Sequence, residues 1–160
     1  MIDKSKDQKF MQMAIDLASK NAESVDGGPF GAVIVKGDDI IASATNSVTV
    51  DNDPTAHAEV NAIRKACEKL KTFDLDGCTL YSSCEPCPMC MSAVYWAHIS
   101  RVVFAADRYD AAEVGFDDEF IYKELALPKD KKSIKVCNIL HSEGQEPFRI
   151  WSNNDEKVDY

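Results

Sequence analysis

Apolar residues recur along this chain with two periods, one typical of helices and one typical of strands. Near the N-terminus the spacing is three to four positions, which predicts an amphipathic first helix that ends at the Asp-Gly-Gly-Pro breaker cluster, residues 26–29. The apolar positions of this helix are Phe10, Met13, Ala14, Leu17 and Ala18. Two short apolar runs follow, at 32–35 and 40–42. The turn-forming residues 37–39 separate them, so a β-hairpin is predicted.

After a polar loop, a second apolar stripe predicts a helix that begins near Ala56. The stripe consists of Val60, Ile63, Cys67 and Leu70. Residues 78–81 predict a strand. Pro86 and Pro88 suit the first turn of the next helix, because proline there gives up no intrahelical hydrogen bond. That helix is expected to run to about His98.

The last third of the chain predicts four further elements. They are a strand at 101–105, a helix at 120–127, a strand at 134–138 and a short helix from about 148 to 160. The chain thus begins with a helix and a hairpin, and strands and helices then alternate. This order favours a single domain over 1–160, built as a two-layer or three-layer α/β sandwich with a mixed sheet.

Composition and charge restrict the classes of partner. The net charge is −9, and an acidic surface repels phosphate backbones, so no nucleic acid is expected as a partner. No apolar run is long enough to span a membrane. The first seven residues are charged and polar, which does not resemble a secretory signal. With six cysteines, these features favour a reducing compartment, and the cytoplasm is the expected location.

Two short stretches carry the strongest chemical signal. One is His57-Ala58-Glu59, and the other is Pro86-Cys87-Pro88-Met89-Cys90. One histidine and two cysteines offer three ligands suited to Zn²⁺, and three protein ligands leave the fourth tetrahedral position for water. The carboxylate of Glu59 is then placed to move protons. This H-x-E…P-C-x-x-C pattern is typical of zinc-dependent base deaminases.

The predicted elements give a physical reason for this spacing. His57 and Glu59 lie at a helix start, where side chains tilt back toward the N-terminus and can address one point beyond the helix end. Cys87 and Cys90 lie three apart in the first turn of the next helix, which places both sulfurs on one face. Two helix N-termini would then converge on one metal, and their positive ends favour thiolates.

The same residues also allow simpler interpretations. Cys87 and Cys90 alone could form a redox pair, or they could join Cys78 and Cys84 in a structural zinc site. His57 and Glu59 could be ordinary polar residues of a helix start. None of these explains the full pattern, including the proline before Cys87. Cys84 is instead expected at a strand end, packed as a small apolar side chain.

These motifs resemble the cytidine deaminase-like superfamily, and within it the chain is most similar to bacterial guanine deaminases. The resemblance runs through 27–35, 52–59, 83–90 and 110–118, and ends in the aromatic, acidic tail. It implies a three-layer α/β/α sandwich with a mixed five-stranded sheet, and a homodimer. It also implies that the tail, residues 147–160, crosses to the partner subunit and closes its active site.

The resemblance also implies roles for particular residues. Zn²⁺ would be bound by His57, Cys87 and Cys90, and Glu59 would be the catalytic proton carrier. The substrate would be a small purine base, deaminated hydrolytically. Its contacts would be with Asn46, Phe30, Asp118 and Tyr160.

The sequence leaves alternatives open for two of these residues and for the activity. Asp118 could be a solvated helix start and Tyr160 a frayed terminus. Guanosine deaminases, tRNA adenosine deaminases and cytosine deaminases share the zinc motif. A zinc-stabilised binding module without catalysis is the alternative from another class of protein.

Overall fold

The computed structural model describes residues 4–160. The chain divides into two compact units. The first extends to Asp118, and the second spans Glu119–Tyr160. The helices of the first unit are α1 (Lys4–Ser24), α2 (Val48–Asp51), α3 (Ala58–Leu70), α4 (Pro88–Trp96) and α5 (Arg108–Glu113). Its strands are β1 (Gly31–Lys36), β2 (Asp39–Thr45), β3 (Cys78–Cys84) and β4 (Arg101–Ala106).

The four strands form one mixed sheet in the order β2-β1-β3-β4. Strand β1 is antiparallel to both β2 and β3, whereas β3 and β4 are parallel. The predicted hairpin is confirmed, and its loop consists of Gly37 and Asp38, because Lys36 pairs with Asp39. Gly37 has a φ of 62°, a conformation that glycine adopts without steric penalty.

The two faces of the sheet pack against different helices. Successive side chains of a strand point to opposite faces, and β1 follows this rule. Ala32 and Ile34 join one core cluster with the buried residues of α3, and Val33 and Val35 join the other with Phe10 of α1. The predicted apolar face of α1 is confirmed, since its buried apolar residues are Phe10, Ala14 and Ala18.

A polar network ties α1 to the sheet. The Asp7 carboxylate accepts hydrogen bonds from the Tyr81 hydroxyl (2.7 Å) and from Nη1 (2.8 Å) and Nη2 (2.6 Å) of Arg101. Arg101 is the main cause, and Tyr81 the second, of the lowered pKa of Asp7, about 2 instead of 3.8. The first helix is therefore held by a charged contact as well as by apolar packing.

The second unit has short helices: α6 (Glu119–Ala126), α7 (Glu146–Ser152) and two 3-10 turns, Lys129–Lys131 and Glu143–Gln145. The sequence-based expectation of five strands is wrong. Residues 134–138 form no strand, although Ile134 and Val136 alternate with polar residues. Alternation supplies β-propensity, but a strand also requires a hydrogen-bonding partner and a buried face. The side chains of Ile134 and Val136 are exposed instead.

Smaller differences concern the ends of elements. The last helix ends at Ser152 and does not reach Tyr160, because the Asn-Asn-Asp sequence of 153–155 favours local turns over helix. Helix α4 ends at Trp96, two residues before the expected end. Helices α2 and α5 were not predicted. None of the helices among residues 4–160 combines the length and apolarity needed to cross a membrane.

Candidate active site

Two helix starts meet at the candidate site, as the sequence predicts. His57 is the N-cap residue of α3 and Cys87 is the N-cap residue of α4, both with extended backbone. Pro88 occupies the beginning of α4, so Cys90 lies within its first turn. Asn61 fixes the start of α3 against the end of β2, since its Nδ2 donates to the carbonyl of Thr45 at 3.1 Å.

The three candidate ligand atoms form a nearly equilateral triangle. Nδ1 of His57 lies 3.6 Å from Sγ of Cys87 and 3.5 Å from Sγ of Cys90, and the two sulfurs are 3.6 Å apart. Tetrahedral Zn²⁺, with Zn–S of about 2.3 Å and Zn–N of about 2.0–2.1 Å, requires separations of about 3.8 Å and about 3.6 Å. The three residues could therefore hold a metal ion with little rearrangement.

The ionisation of Cys87 and Cys90 also favours a bound cation. The pKa of Cys87 is lowered to about 4, first by its hydrogen bond with Cys90 and also by His57, so a thiolate is present near neutral pH. The pKa of Cys90 is raised, first by the same hydrogen bond and then by burial. A second thiolate 3.6 Å from the first is unfavourable unless a cation lies between them. A divalent metal would remove that cost.

Glu59 lies directly beside this triangle and is nearly inaccessible, with 6% of its surface exposed. Its Oε2 is 3.5 Å from Sγ of Cys90, and its Oε1 accepts a hydrogen bond from the Ser82 hydroxyl at 3.1 Å. Burial is the largest cause that raises the pKa of Glu59. A buried carboxyl group with a raised pKa next to a metal site is suited to accept and return protons.

Asn46 follows β2 and is held in one orientation. Its Oδ1 accepts hydrogen bonds from the backbone N–H groups of Gly28 (3.1 Å) and Val48 (3.2 Å). These two donors assign the amide oxygen, so Nδ2 is the group left for a ligand. Nδ2 has no hydrogen-bond partner among residues 4–160. The side chain of Asn46 can therefore donate to a ligand through Nδ2, whereas its Oδ1 is already engaged by the two backbone N–H groups.

The backbone around Asn46 is also fixed. Nδ2 of the buried Asn21 donates to the carbonyls of Gly28 (2.7 Å) and Asn46 (2.9 Å). At Gly27 a Cβ atom would collide with the carbonyl oxygen of Asn46, so only glycine allows this close approach. Helix α1 and the glycine turn together determine where the Asn46 amide lies.

Of the remaining predicted site residues, the structure places Asp118 near the cluster of candidate metal ligands. The pKa of Asp118 is raised by burial first and then by the charge of Cys87, so Asp118 lies within electrostatic reach of the ligand cluster. The ring of Phe30 packs edge-to-face against Phe116, with centroids 4.9 Å apart. Tyr160 belongs to the second unit, and its contact with a substrate stays a prediction.

Cys84 takes the place expected from the sequence. It ends β3, is buried, and donates a weak hydrogen bond from Sγ to the carbonyl of Asp107 at 3.5 Å. Burial is the main cause that raises the pKa of its thiol to about 11. Among residues 4–160, the group of candidate ligand atoms that lie within 4.8 Å of one another contains neither Cys84 nor Cys78.

Ser82 and Asn21 were not among the site residues predicted from the sequence. A signal for Ser82 was present, because alternation in β3 places it on the same face as Leu80, which is fully buried. A hydroxyl at a core-facing position requires a polar partner, and here that partner is Glu59. Asn21 gave no comparable signal, since it lies near the C-terminal end of a helix where polar residues are common.

Comparisons with known proteins support the interpretation of these residues as the metal site of a deaminase. Residues 4–106 match the cytidine and deoxycytidylate deaminase zinc-binding region. The chain is 51% identical over 153 residues to the guanine deaminase of Bacillus subtilis (strain 168), covering 96% of this chain and 98% of the relative. The X-ray structure of guanine deaminase from Bacillus subtilis has a TM-score of 0.93, over 96% of this chain and 98% of that chain.

More distant relatives share the core of the domain. NE0047 in complex with 2,6-diaminopurine has a TM-score of 0.63 at 38% identity, covering 68% of this chain and 61% of that one. The tRNA-specific adenosine deaminase of Aquifex aeolicus (strain VF5) is 45% identical over 97 residues, 61% of this chain and 64% of the relative. The α/β fold and the zinc-binding region are thus shared well beyond one activity. The chain belongs to the cytidine and deoxycytidylate deaminase family of zinc-dependent enzymes.

Proposed function

We propose that this protein catalyses the hydrolytic deamination of guanine, with water as co-substrate and xanthine and ammonia as products. The observation that carries the chemistry is the triangle of ligand atoms, 3.5–3.6 Å on each side, with the Glu59 carboxylate beside it. The substrate assignment is supported by the likeness to a guanine deaminase over nearly the whole chain.

The roles follow from the geometry of the site. His57, Cys87 and Cys90 would hold Zn²⁺, which when bound would lower the pKa of a water molecule and supply a nucleophile near neutral pH. Glu59 accepts a proton as water adds to C2 of guanine and passes it to a ring nitrogen. Glu59 then takes the proton of the new hydroxyl group on C2 and delivers it to the amine, so that the C2–N bond breaks and ammonia and xanthine are released. Its raised pKa reduces the cost of holding that proton between the two transfers.

Three residues of the first unit are proposed to bind the purine. Nδ2 of Asn46 donates to the carbonyl oxygen of guanine, in line with the fixed orientation of its amide. Phe30 packs against the face of the ring. Asp118 accepts from the N–H groups of the base, and its partial burial near Cys87 supports that position.

A panel of substrates tests the function. Zinc-loaded protein is incubated separately with guanine, guanosine, adenine, adenosine, cytosine and a tRNA that contains adenosine, and ammonia is measured. Guanine is expected to release ammonia fastest. Release from guanosine and not from guanine would favour a guanosine deaminase. Release from adenosine within tRNA alone would favour an RNA-editing enzyme, which the net charge of −9 disfavours. Stoichiometric zinc without release from any base would indicate a binding module.

We also propose that the active form is a homodimer in the cytoplasm, in which residues 147–160 close the active site of the partner and Tyr160 completes its pocket. Within this segment, the apolar side chains of Phe148, Ile150 and Trp151 are exposed in the single chain. Exposed apolar groups of this size are typical of interaction surfaces. The proposed location is supported by the cysteines, since none of the six is paired in a disulfide bond. The core clusters on opposite faces of the sheet support a three-layer arrangement of the first unit, within a domain that we propose to span 1–160.

Complementation distinguishes closure by the partner from closure within one subunit. One chain carries Glu59→Gln and an intact tail, and a second carries Phe148→Asp and Trp151→Asp with an intact zinc site. Each is expected to be inactive alone. Co-expressed, they recover activity only if the tail of the first chain closes the site of the second. Absence of recovery in a confirmed heterodimer would rule out closure by the partner.

A further inference from the structure

The two oxygens of the Glu59 carboxylate have different surroundings. Oε2 lies beside the metal ligands, 3.5 Å from Sγ of Cys90, whereas Oε1 accepts the Ser82 hydroxyl at 3.1 Å. The last torsion of a glutamate side chain is broad and roughly two-fold, so packing alone fixes it poorly. The carboxylate also accepts from the backbone N–H of Glu59 itself, and the Ser82 hydroxyl is the donor that reaches it from another element. Directional hydrogen bonds therefore determine which oxygen faces the reacting water.

We propose that Ser82 is a positioning residue for the proton carrier. Its hydroxyl holds Oε1 and thereby keeps Oε2 directed at the metal side of the pocket. The proposal rests on the proposed function, because it assigns Ser82 to the same proton transfers. Ser82 itself does not touch the metal-ligand atoms or the substrate in this role, and it acts through Glu59.

Cys90 cannot replace Ser82 in this role. A cysteine that binds zinc does so as the thiolate, which has no hydrogen to donate to Oε2. The Ser82 hydroxyl keeps its hydrogen, so its bond to Glu59 persists when the metal is present. The short distance between Sγ of Cys90 and Oε2 of Glu59 then shows which oxygen faces the metal ligands, but this contact does not hold the carboxylate in place.

The fold makes Ser82 a rigid support. Ser82 lies in β3, an interior strand of the sheet, where it pairs with Ala32 of β1 on one side and with Phe104 of β4 on the other. Only 2% of its surface is exposed. Its backbone is thus fixed from both sides, and its side chain has no water to exchange for Glu59. A donor on such a strand holds its partner more closely than a donor on a loop.

Three variants test the proposal. Ser82→Ala removes the donor, and loss of such a supporting hydrogen bond next to a metal site typically costs about 10–100-fold in activity. We expect that fall in kcat for guanine, with KM within about threefold and bound zinc unchanged. Ser82→Thr keeps a hydroxyl on a residue favoured in strands and is expected to restore kcat to within about threefold of wild type.

Ser83→Ala is the matched control. Ser83 is the next residue of β3, is also buried, and points to the opposite face, where its hydroxyl accepts from the Gly31 N–H at 3.0 Å. This variant loses a buried hydroxyl and some stability without touching Glu59. A similar fall in kcat for both serine variants would assign the effect to general loosening of the strand and overturn the proposal.

A structural readout separates this proposal from the proposed function. Crystal structures of zinc-loaded wild type and Ser82→Ala are compared at the Glu59 carboxylate. We expect a rotated or two-fold disordered carboxylate in the Ala variant and a single orientation in wild type and Ser82→Thr. An unchanged carboxylate in Ser82→Ala contradicts the positioning role, whatever the substrate. A wild-type protein that does not deaminate guanine contradicts the proposed function alone.

Discussion

Replacing Asn46 with Asp tests the direction of the hydrogen bond between this residue and the substrate. The two side chains have nearly the same shape. The new carboxylate can still accept from the backbone N–H groups of Gly28 and Val48, so the loop keeps its conformation. What changes is the atom at the position of Nδ2, where an acceptor with negative charge replaces a donor.

The size of the effect can be worked out from that exchange. Loss of one hydrogen bond to a neutral carbonyl costs about 1 kcal/mol, and a buried charged oxygen facing that carbonyl unpaired costs about 2–3 kcal/mol more. The sum is about 3–4 kcal/mol. At about 1.4 kcal/mol for each factor of ten, kcat/KM for guanine should fall by about 10²–10³-fold. The loss of stability should be smaller than for Asn46→Ala, because both backbone donors remain satisfied, and it reflects the lost hydration of a carboxylate at a site that is 6% exposed.

The assay is steady-state ammonia release from guanine together with chemical denaturation of the same preparations. Asn46→Ala serves as the contrasting variant, because it leaves two backbone donors unpaired and should cost about 2–4 kcal/mol of stability. If Asn46→Asp retains kcat/KM within threefold of wild type, Nδ2 does not donate to the substrate and the fixed amide does not select the base.

Three further predictions concern the proton carrier, the metal and the first helix. Glu59→Gln should keep stoichiometric zinc by metal analysis and lose about 10²–10⁴-fold in kcat, and a rate near that of wild type would contradict its role. Removal of the metal with a chelator should abolish turnover, and added Zn²⁺ should restore it. The Cys87→Ser variant should bind less zinc than wild type. Full activity of the metal-free protein would exclude zinc chemistry. Asp7→Asn should lower the free energy of unfolding at pH 7 by about 1–2 kcal/mol, a value reduced for the exposure of the Arg101 partner. Because the pKa of Asp7 is lowered in the folded state, its contribution is present above pH 4 and lost as the pH falls toward about 2. Denaturation curves over that pH range should therefore converge for the two proteins.

The parts of the structure that depend on local signals were predictable from the sequence. The convergence of His57 and Cys87 at two helix starts is confirmed, because helix periodicity and the prolines near Cys87 define both starts without reference to distant contacts. The turn residues at 37–39 also predicted the hairpin correctly, and the Asp-Gly-Gly-Pro cluster at 26–29 predicted the end of α1.

What the sequence could not supply depends on partners distant in the chain. The strand expected at 134–138 had the right alternation, yet whether it forms depends on a strand edge that the local sequence does not specify. The fixed orientation of Asn46 depends on backbone groups on both sides of a turn and on Asn21, which precedes Asn46 by 25 residues. Such contacts become visible only when the fold brings them together.

The collision that any side chain at Gly27 would make with Asn46 has a consequence for how this enzyme could change its substrate. The residues proposed for the chemistry are carried by α3 and α4, whereas the group proposed to select the base is set by α1 and the turn that follows it. A new activity could therefore evolve, or be engineered, by altering the segment around residues 21–30 while the metal centre is inherited intact. Libraries that search for deaminases of other purines should vary that segment first and keep Gly27, where any side chain would collide with Asn46.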